Sequence, residues 1–256
     1  MIKSMERIEK VLDPIDIFTN CQKIFISGSV GVGKTTFIQT FTHNIKASGN
    51  TNVHVIPEYI DGDPNGNDML QNYLNHTISA YEFQNYVVTF YDKYIMSMID
   101  NVKQGDVIVF ERLPDESIAI FANIARKRGY MTEQEFDRLY YKVIEIDTKF
   151  GIPSIFNNRL YPYVFSCIKT LSDCDLTRSV LAMQVECNCN LIVGLYNTTD
   201  MCYKRVIKRN RDSEASYTYA DIELFVELYL KIYNKILCNQ DLLLKDVKQL
   251  FDGMSV

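Results

Sequence analysis

Apolar positions along the chain follow two rhythms: short unbroken runs, and longer stretches with an apolar residue every three or four places. Residues 24–26, 53–56, 107–110 and 191–196 are runs of the first kind, too short for helices and suited to strands buried on both faces. The second rhythm predicts helices between them. Phe37, Ile38, Phe41 and Ile45 mark one that Gly49 stops, and residues 69–75 carry a weaker one. Val87, Phe90, Tyr91, Tyr94, Ile95, Met98 and Val102 predict a long buried helix over 83–102. Asp115 is expected to cap a helix that reaches Arg128 and stops at Gly129, and Thr132 with Glu135 reads as a capping box for the next. Ile222, Phe225, Val226, Leu228, Tyr229, Ile232 and Tyr233 predict a helix from Tyr219. At the amino end, Met5, Ile8, Val11 and Leu12 suggest a short helix ended near Pro14, and the turn formers of 61–67 suggest a surface loop. Residues 147–178 show no clean period and read as a possible insertion; no strong fifth strand is visible beyond Tyr233.

Strands alternating with helices predict an α/β fold with a parallel sheet of about five strands covered by helices, in a single domain over 1–256. Composition agrees, since 256 residues at 47% hydrophobic content can bury a substantial core. A net charge of −5 gives no general attraction to nucleic acid or to an anionic membrane. The seven cysteines, Cys21, Cys167, Cys174, Cys187, Cys189, Cys202 and Cys238, form no C-x-x-C pair and read as reduced thiols. Cys187-Asn188-Cys189 lacks a histidine at ligand spacing, which argues against structural zinc. No run approaches the roughly 18 apolar residues of a membrane span, and Glu6 and Glu9 argue against a transit peptide, so a cytoplasmic protein is expected.

The first strand breaks into Gly28-Ser29-Val30-Gly31-Val32-Gly33-Lys34-Thr35-Thr36, which fits the spacing G-x-x-x-x-G-K-S/T. In that motif successive backbone N–H groups turn inward around a phosphate, at the positive end of the following helix. Lys34 is expected to reach the outer phosphates of ATP, and the Thr35 hydroxyl to ligate the Mg²⁺ that travels with them. A P-loop NTPase fold follows. In a parallel sheet the ligand lies at the carboxyl ends of the strands, and here those ends deliver the glycine turn, Glu58, and Glu111-Arg112. One carboxylate to accept a proton from an attacking hydroxyl, a second for the magnesium shell, and arginines for the phosphoryl oxygens make up a phosphoryl-transfer set. Arg205 and Arg209 share one side of a helix that also carries Lys204, Lys208 and Arg211.

These stretches, with Pro57-Glu58, Phe83-Gln84-Asn85-Tyr86-Val87 and the basic segment 205–214, resemble the successive motifs of the deoxynucleoside kinases. That group includes insect deoxynucleoside kinase, mitochondrial thymidine kinase, deoxycytidine kinase and, more distantly, herpesvirus thymidine kinases. The likeness spans 23–145 and 191–235, about two thirds of the chain. It implies that Glu58 is the general base for the 5′-hydroxyl, acting with Lys34 and Arg112, and that Glu111 joins Thr35 at the magnesium. Gln84 would pair with the nucleobase, with Val87 and Tyr91 lining the pocket and Phe121 stacking on the base. Tyr73 and Glu214 would hold the 3′-hydroxyl, while Arg205, Arg209 and Arg211 close over the donor phosphates within a lid at about 203–218. A homodimer is implied as well.

The chain departs from that pattern in lacking tryptophan, in Leu113-Pro114 after Glu111-Arg112, and in the extra segment 147–178. Tyr91 and Ser117 stand where members favouring cytidine or purines have an arginine–aspartate pair, which implies a preference for thymidine and other pyrimidine deoxynucleosides. A nucleoside monophosphate kinase of thymidylate type would need a further cationic clamp for the acceptor phosphate, and none is evident outside the lid. A non-catalytic nucleotide-binding protein is the other alternative. A regulatory GTPase fits poorly: Asp63-Pro64-Asn65-Gly66 matches D-x-x-G, but Asn234-Lys235 lacks the aspartate that reads guanine.

Overall fold

The structure is a computed structural model that describes residues 13–47, 52–156, 162–170, 190–238 and 248–249. Five parallel strands, β1 (Gln22–Gly28), β2 (Val53–Ile56), β3 (Val107–Glu111), β4 (Tyr163–Lys169) and β5 (Asn190–Tyr196), form one sheet in the order β2-β3-β1-β5-β4. β1 lies at the centre, with Ile24 opposite Val109 on one side and Leu191 on the other. All five residues of β3 are buried, so both faces of the sheet are covered there. The helices are α1 (Pro14–Asn20), α2 (Lys34–Ala47), α3 (Tyr59–Gly62), α4 (Gly66–Leu74), α5 (Ala80–Met98), α6 (Pro114–Glu116), α7 (Asn123–Lys127), α8 (Glu133–Phe150), α9 (Thr199–Arg209) and α10 (Tyr219–Leu237). None of the described helices is long and apolar enough to cross a membrane. Because the strands run in one direction, their carboxyl ends share one edge, and the chain leaves β1 there into the glycine turn.

Local chemistry accounts for most element boundaries. Ser79 accepts from the Glu82 amide at 3.1 Å while the Glu82 carboxylate accepts from the Ser79 amide at 2.8 Å, which starts α5 three residues before the predicted 83. Thr132 and Glu135 make the expected box at the start of α8. The carbonyls near the end of α1 are satisfied by a buried lysine. Lys23 Nζ donates to Phe18 O, Thr19 O and Cys21 O at 2.9, 2.9 and 3.1 Å.

Several expectations are corrected. Pro14 begins a helix instead of ending one, because proline suits the first helical position and Asp13 caps it through the Ile15 amide at 2.8 Å. The earlier helix through Met5, Ile8, Val11 and Leu12, the stop at Gly49, and Cys187-Asn188-Cys189 lie outside the described residues. Residues 61–67 are only in part a loop, since α3 ends at Gly62 and α4 starts at Gly66. Asp115 is not a cap. Leu113 precedes the helix, Pro114 takes its first position, and Asp115 turns inward to accept from Ser154 Oγ at 2.9 Å and the Ile155 amide at 2.6 Å. The helix expected to run from there to Arg128 is broken by a π-helical segment, Ser117–Ala122. The missing fifth strand lies within 147–178 as β4, paired with β5 from Tyr163↔Asn190 to Lys169↔Tyr196.

Candidate active site

The glycine turn joins β1 to α2 so that backbone, not side chain, faces the cavity. Gly28 has φ +150° and lies so close to β5 that a Cβ would sit 2.8 Å from the Leu195 carbonyl oxygen. Gly31, at φ +76°, is closer still to its neighbour. A Cβ there would meet the Cys202 carbonyl oxygen of α9 at 2.3 Å. The turn thus wedges against α9, and α2 starts at Lys34 with its amino end at the cavity. Ser29 O accepts from Lys34 Nζ at 3.4 Å, which folds the lysine back over the turn.

Three strand ends meet at this point. Lys34 Nζ lies 3.0 Å from Glu58 Oε1, just past β2, and Arg112 Nε lies 2.6 Å from the same oxygen. Both ion pairs fall on Oε1, which is closed off from solvent between the two cations, so an incoming donor is left with the other carboxylate oxygen, Oε2. Burial alone would raise the Glu58 carboxyl; the Arg112 guanidinium and the Lys34 ammonium outweigh it and hold the group down at about 2. Glu111 goes the other way, pushed up by burial and by the Glu58 charge. Its Oε1 accepts from Thr35 Oγ1 at 2.7 Å. The Lys34 ammonium is pushed down by burial and by Arg112, while the two glutamates favour its charge.

A cavity of about 800 Å³ runs from this cluster towards α5 and α10. Of the residues expected at the site, Val30, Gly31, Val32, Gly33, Lys34, Thr35, Thr36, Glu58, Tyr73, Gln84, Val87, Tyr91, Glu111, Arg112, Phe121, Arg205, Arg209, Arg211 and Glu214 line it, and Gly28 and Ser29 do not. Those two act behind the wall, through carbonyls that accept from Arg112 and Lys34. Gln84 is 3% exposed, and its carbonyl oxygen has no hydrogen-bond partner among the described residues. A buried amide oxygen left in that state costs on the order of 1–3 kcal/mol, and it belongs to a side chain on the cavity wall. Phe83 stacks on Tyr73 with ring centroids 4.7 Å apart, which fixes the tyrosine beside it. The Arg112 guanidinium stands 5.3 Å from the Phe121 ring centroid.

The basic segment closes one side. Arg205 Nη1 donates to Val32 O at 2.6 Å, pinning α9 to the glycine turn. Arg209 pairs with Glu214, which is 7% exposed, and Arg211 Nη2 reaches Asp61 at 2.8 and 3.1 Å. Carboxylates thus hold Arg209 and Arg211, and the carbonyl of Val32 holds Arg205.

Three lining or supporting residues escaped the sequence reading. Thr170 follows β4, donates to Val32 O at 3.1 Å, and lines the cavity; with β4 unseen nothing pointed to it. Glu116 pairs with Arg112 at 3.1 Å; Arg112 lies before α6 with a left-handed backbone, so helical spacing gave no signal for the pair. Tyr229 reads in sequence as a core position of α10, yet its hydroxyl bonds to both. Residues 24–158, just over half the chain, match the family model described as deoxynucleoside kinase. A search of curated proteins returned no match.

Proposed function

The chain belongs to the deoxynucleoside kinase family, whose fold is that of the P-loop NTPases and whose members bind ATP and a nucleoside; from this we propose that it transfers the γ-phosphoryl group of ATP to the 5′-hydroxyl of a deoxynucleoside, thymidine and other pyrimidine nucleosides being preferred. The observation that carries the reading is Glu58, a carboxylate on the cavity wall whose Oε1 is held by Lys34 and Arg112 while Oε2 takes part in neither ion pair.

Glu58 accepts from the 5′-hydroxyl and aligns its oxygen with the phosphorus. A carboxyl held at about 2 is a weak base, so the proton moves late, once the new O–P bond has made the hydroxyl acidic. The bond from the γ-phosphorus to the bridging oxygen breaks, ADP departs, and Glu58 passes the proton on. Lys34 and the N–H groups of the glycine turn hold the donor phosphates. Arg112 follows charge onto the transferred group, and Arg205, Arg209 and Arg211 do the same from a lid at 203–218. Thr35 and Glu111, joined at 2.7 Å and both on the cavity wall, are the hard oxygen donors that would hold a Mg²⁺ bound with the nucleotide, which would neutralise phosphate charge.

At the other end, Gln84 presents donor and acceptor side by side, matching the edge of a pyrimidine. Tyr73 and Glu214 take the 3′-hydroxyl. Tyr91 and Ser117 line the same cavity without the arginine–aspartate pair of the cytidine- and purine-favouring members, which supports thymidine. Steady-state comparison of thymidine, deoxycytidine and deoxyguanosine tests the preference: thymidine is expected to give the highest kcat/KM, and a purine winner overturns it. The family resemblance also supports a homodimer acting in the cytoplasm.

A further inference from the structure

Arg112 has φ +76°, left-handed for a residue with a side chain. That conformation costs roughly 1–2 kcal/mol and persists where surrounding contacts over-determine it. Its amide donates to Ile26 O at 3.1 Å, which fixes the backbone just past β3. A separate group of residues fixes the side chain. Nη1 donates to Gly28 O at 2.8 Å and to Glu116 Oε2 at 3.1 Å, on the opposite edge of the guanidinium from the Nε that faces Glu58. The Tyr229 hydroxyl, brought from α10, contacts Arg112 Nη1 and donates to Glu116 Oε2. Glu116 Oε1 accepts from the Leu113 amide at 3.2 Å, tying the carboxylate into the turn that carries Arg112. Glu116 and Tyr229 are each 2% exposed. A carboxylate so buried is costly unless paired; its Oε1 caps the start of α6, and its Oε2 is given to Arg112 and Tyr229.

We infer that Glu116 and Tyr229 are positioning residues for phosphoryl transfer: they anchor one edge of the Arg112 guanidinium, so that Glu58 engages only the other edge and keeps an oxygen for the acceptor hydroxyl. A guanidinium with five donors forks readily onto a single carboxylate. Without a second carboxylate, Arg112 turns onto Glu58 as a bidentate pair and occupies the acceptor site. The catalytic half of this inference rests on the kinase reading above; the anchoring half does not.

Glu116→Gln, Tyr229→Phe and the double variant, compared by steady-state kinetics and by NMR of arginine-labelled protein, test both halves. Wild-type protein is expected to show resolved, slowly exchanging Arg112 side-chain protons, which average in either variant. In Glu116→Gln kcat falls about tenfold or more, with KM for nucleoside and ATP within about threefold, and the double variant is scarcely slower because the two residues act as one unit. Tyr229→Phe removes only a hydroxyl and supplies the same readouts should Glu116→Gln fail to fold. An Arg112 still restrained in the variants overturns the anchoring, and kcat within about twofold of wild type, or a loss confined to KM, overturns the catalytic role. A wild-type chain that phosphorylates no nucleoside refutes the kinase reading and the catalytic half together, while the NMR arm decides the anchoring.

Discussion

Glu58 sits 3.0 Å from the Lys34 ammonium and 2.6 Å from the Arg112 guanidinium, and those two cations decide its behaviour against the burial that opposes them. Its carboxyl is depressed to about 2 in the folded chain, against about 4.3 when unfolded. The stabilisation it contributes is therefore complete above the ordinary carboxylate range and is lost as pH falls from there towards 2. The free energy involved is on the order of 3 kcal/mol. Thermal unfolding of wild type and Glu58→Gln at a series of pH values checks this. The wild-type advantage should be flat near neutrality and shrink between about pH 5 and pH 3; an advantage unchanged over that range contradicts the ion-pair account. At this scale the sequence was legible wherever a residue ends a strand or stands within two places of its end, as Glu111, Arg112 and Glu58 do. It was opaque for Glu116 and Tyr229, which resemble an ordinary helix start and an ordinary core position until the fold brings them together.

The glycine turn works as an element because it fits between β5 and α9. Gly31 and Gly129 share the same φ of +76°, but an added Cβ meets the Cys202 carbonyl at 2.3 Å in one case and open space in the other. The pair separates backbone strain from steric contact. Gly129→Ala should cost about 1–2 kcal/mol, whereas Gly31→Ala should cost about 1–3 kcal/mol more and raise KM for ATP. Equal losses of stability in the two variants would remove the wedge from the account. Helix boundaries were readable where capping chemistry is local, as at Thr132-Glu135, and shifted where it competes, as at Pro14 and Pro114. β4 went unseen for a physical reason: it lies at the sheet edge, none of its seven residues is fully buried, and its sequence Tyr-Val-Phe-Ser-Cys-Ile-Lys has no need of an unbroken apolar run.

Over the whole molecule, the parallel order β2-β3-β1-β5-β4 gathers the glycine turn, Glu58, Glu111-Arg112 and Thr170 at one sheet edge, and α5 supplies Gln84 from across the cavity. The alternation of strands and helices was enough to foresee that edge; the contribution of β4 and Thr170 depended on a strand that only pairing defines. The proposed chemistry needs one cavity, of about 800 Å³, to take a triphosphate against the glycine turn and an uncharged sugar alcohol against Glu58. Incubating the protein with γ-labelled ATP, Mg²⁺ and thymidine, beside Glu58→Gln under the same conditions, tests it most directly. Wild type is expected to yield labelled thymidine monophosphate, and the variant to do so at a rate at least about a hundredfold lower. Label transferred to thymidine monophosphate but not to thymidine, or equal turnover by the two proteins, would contradict it.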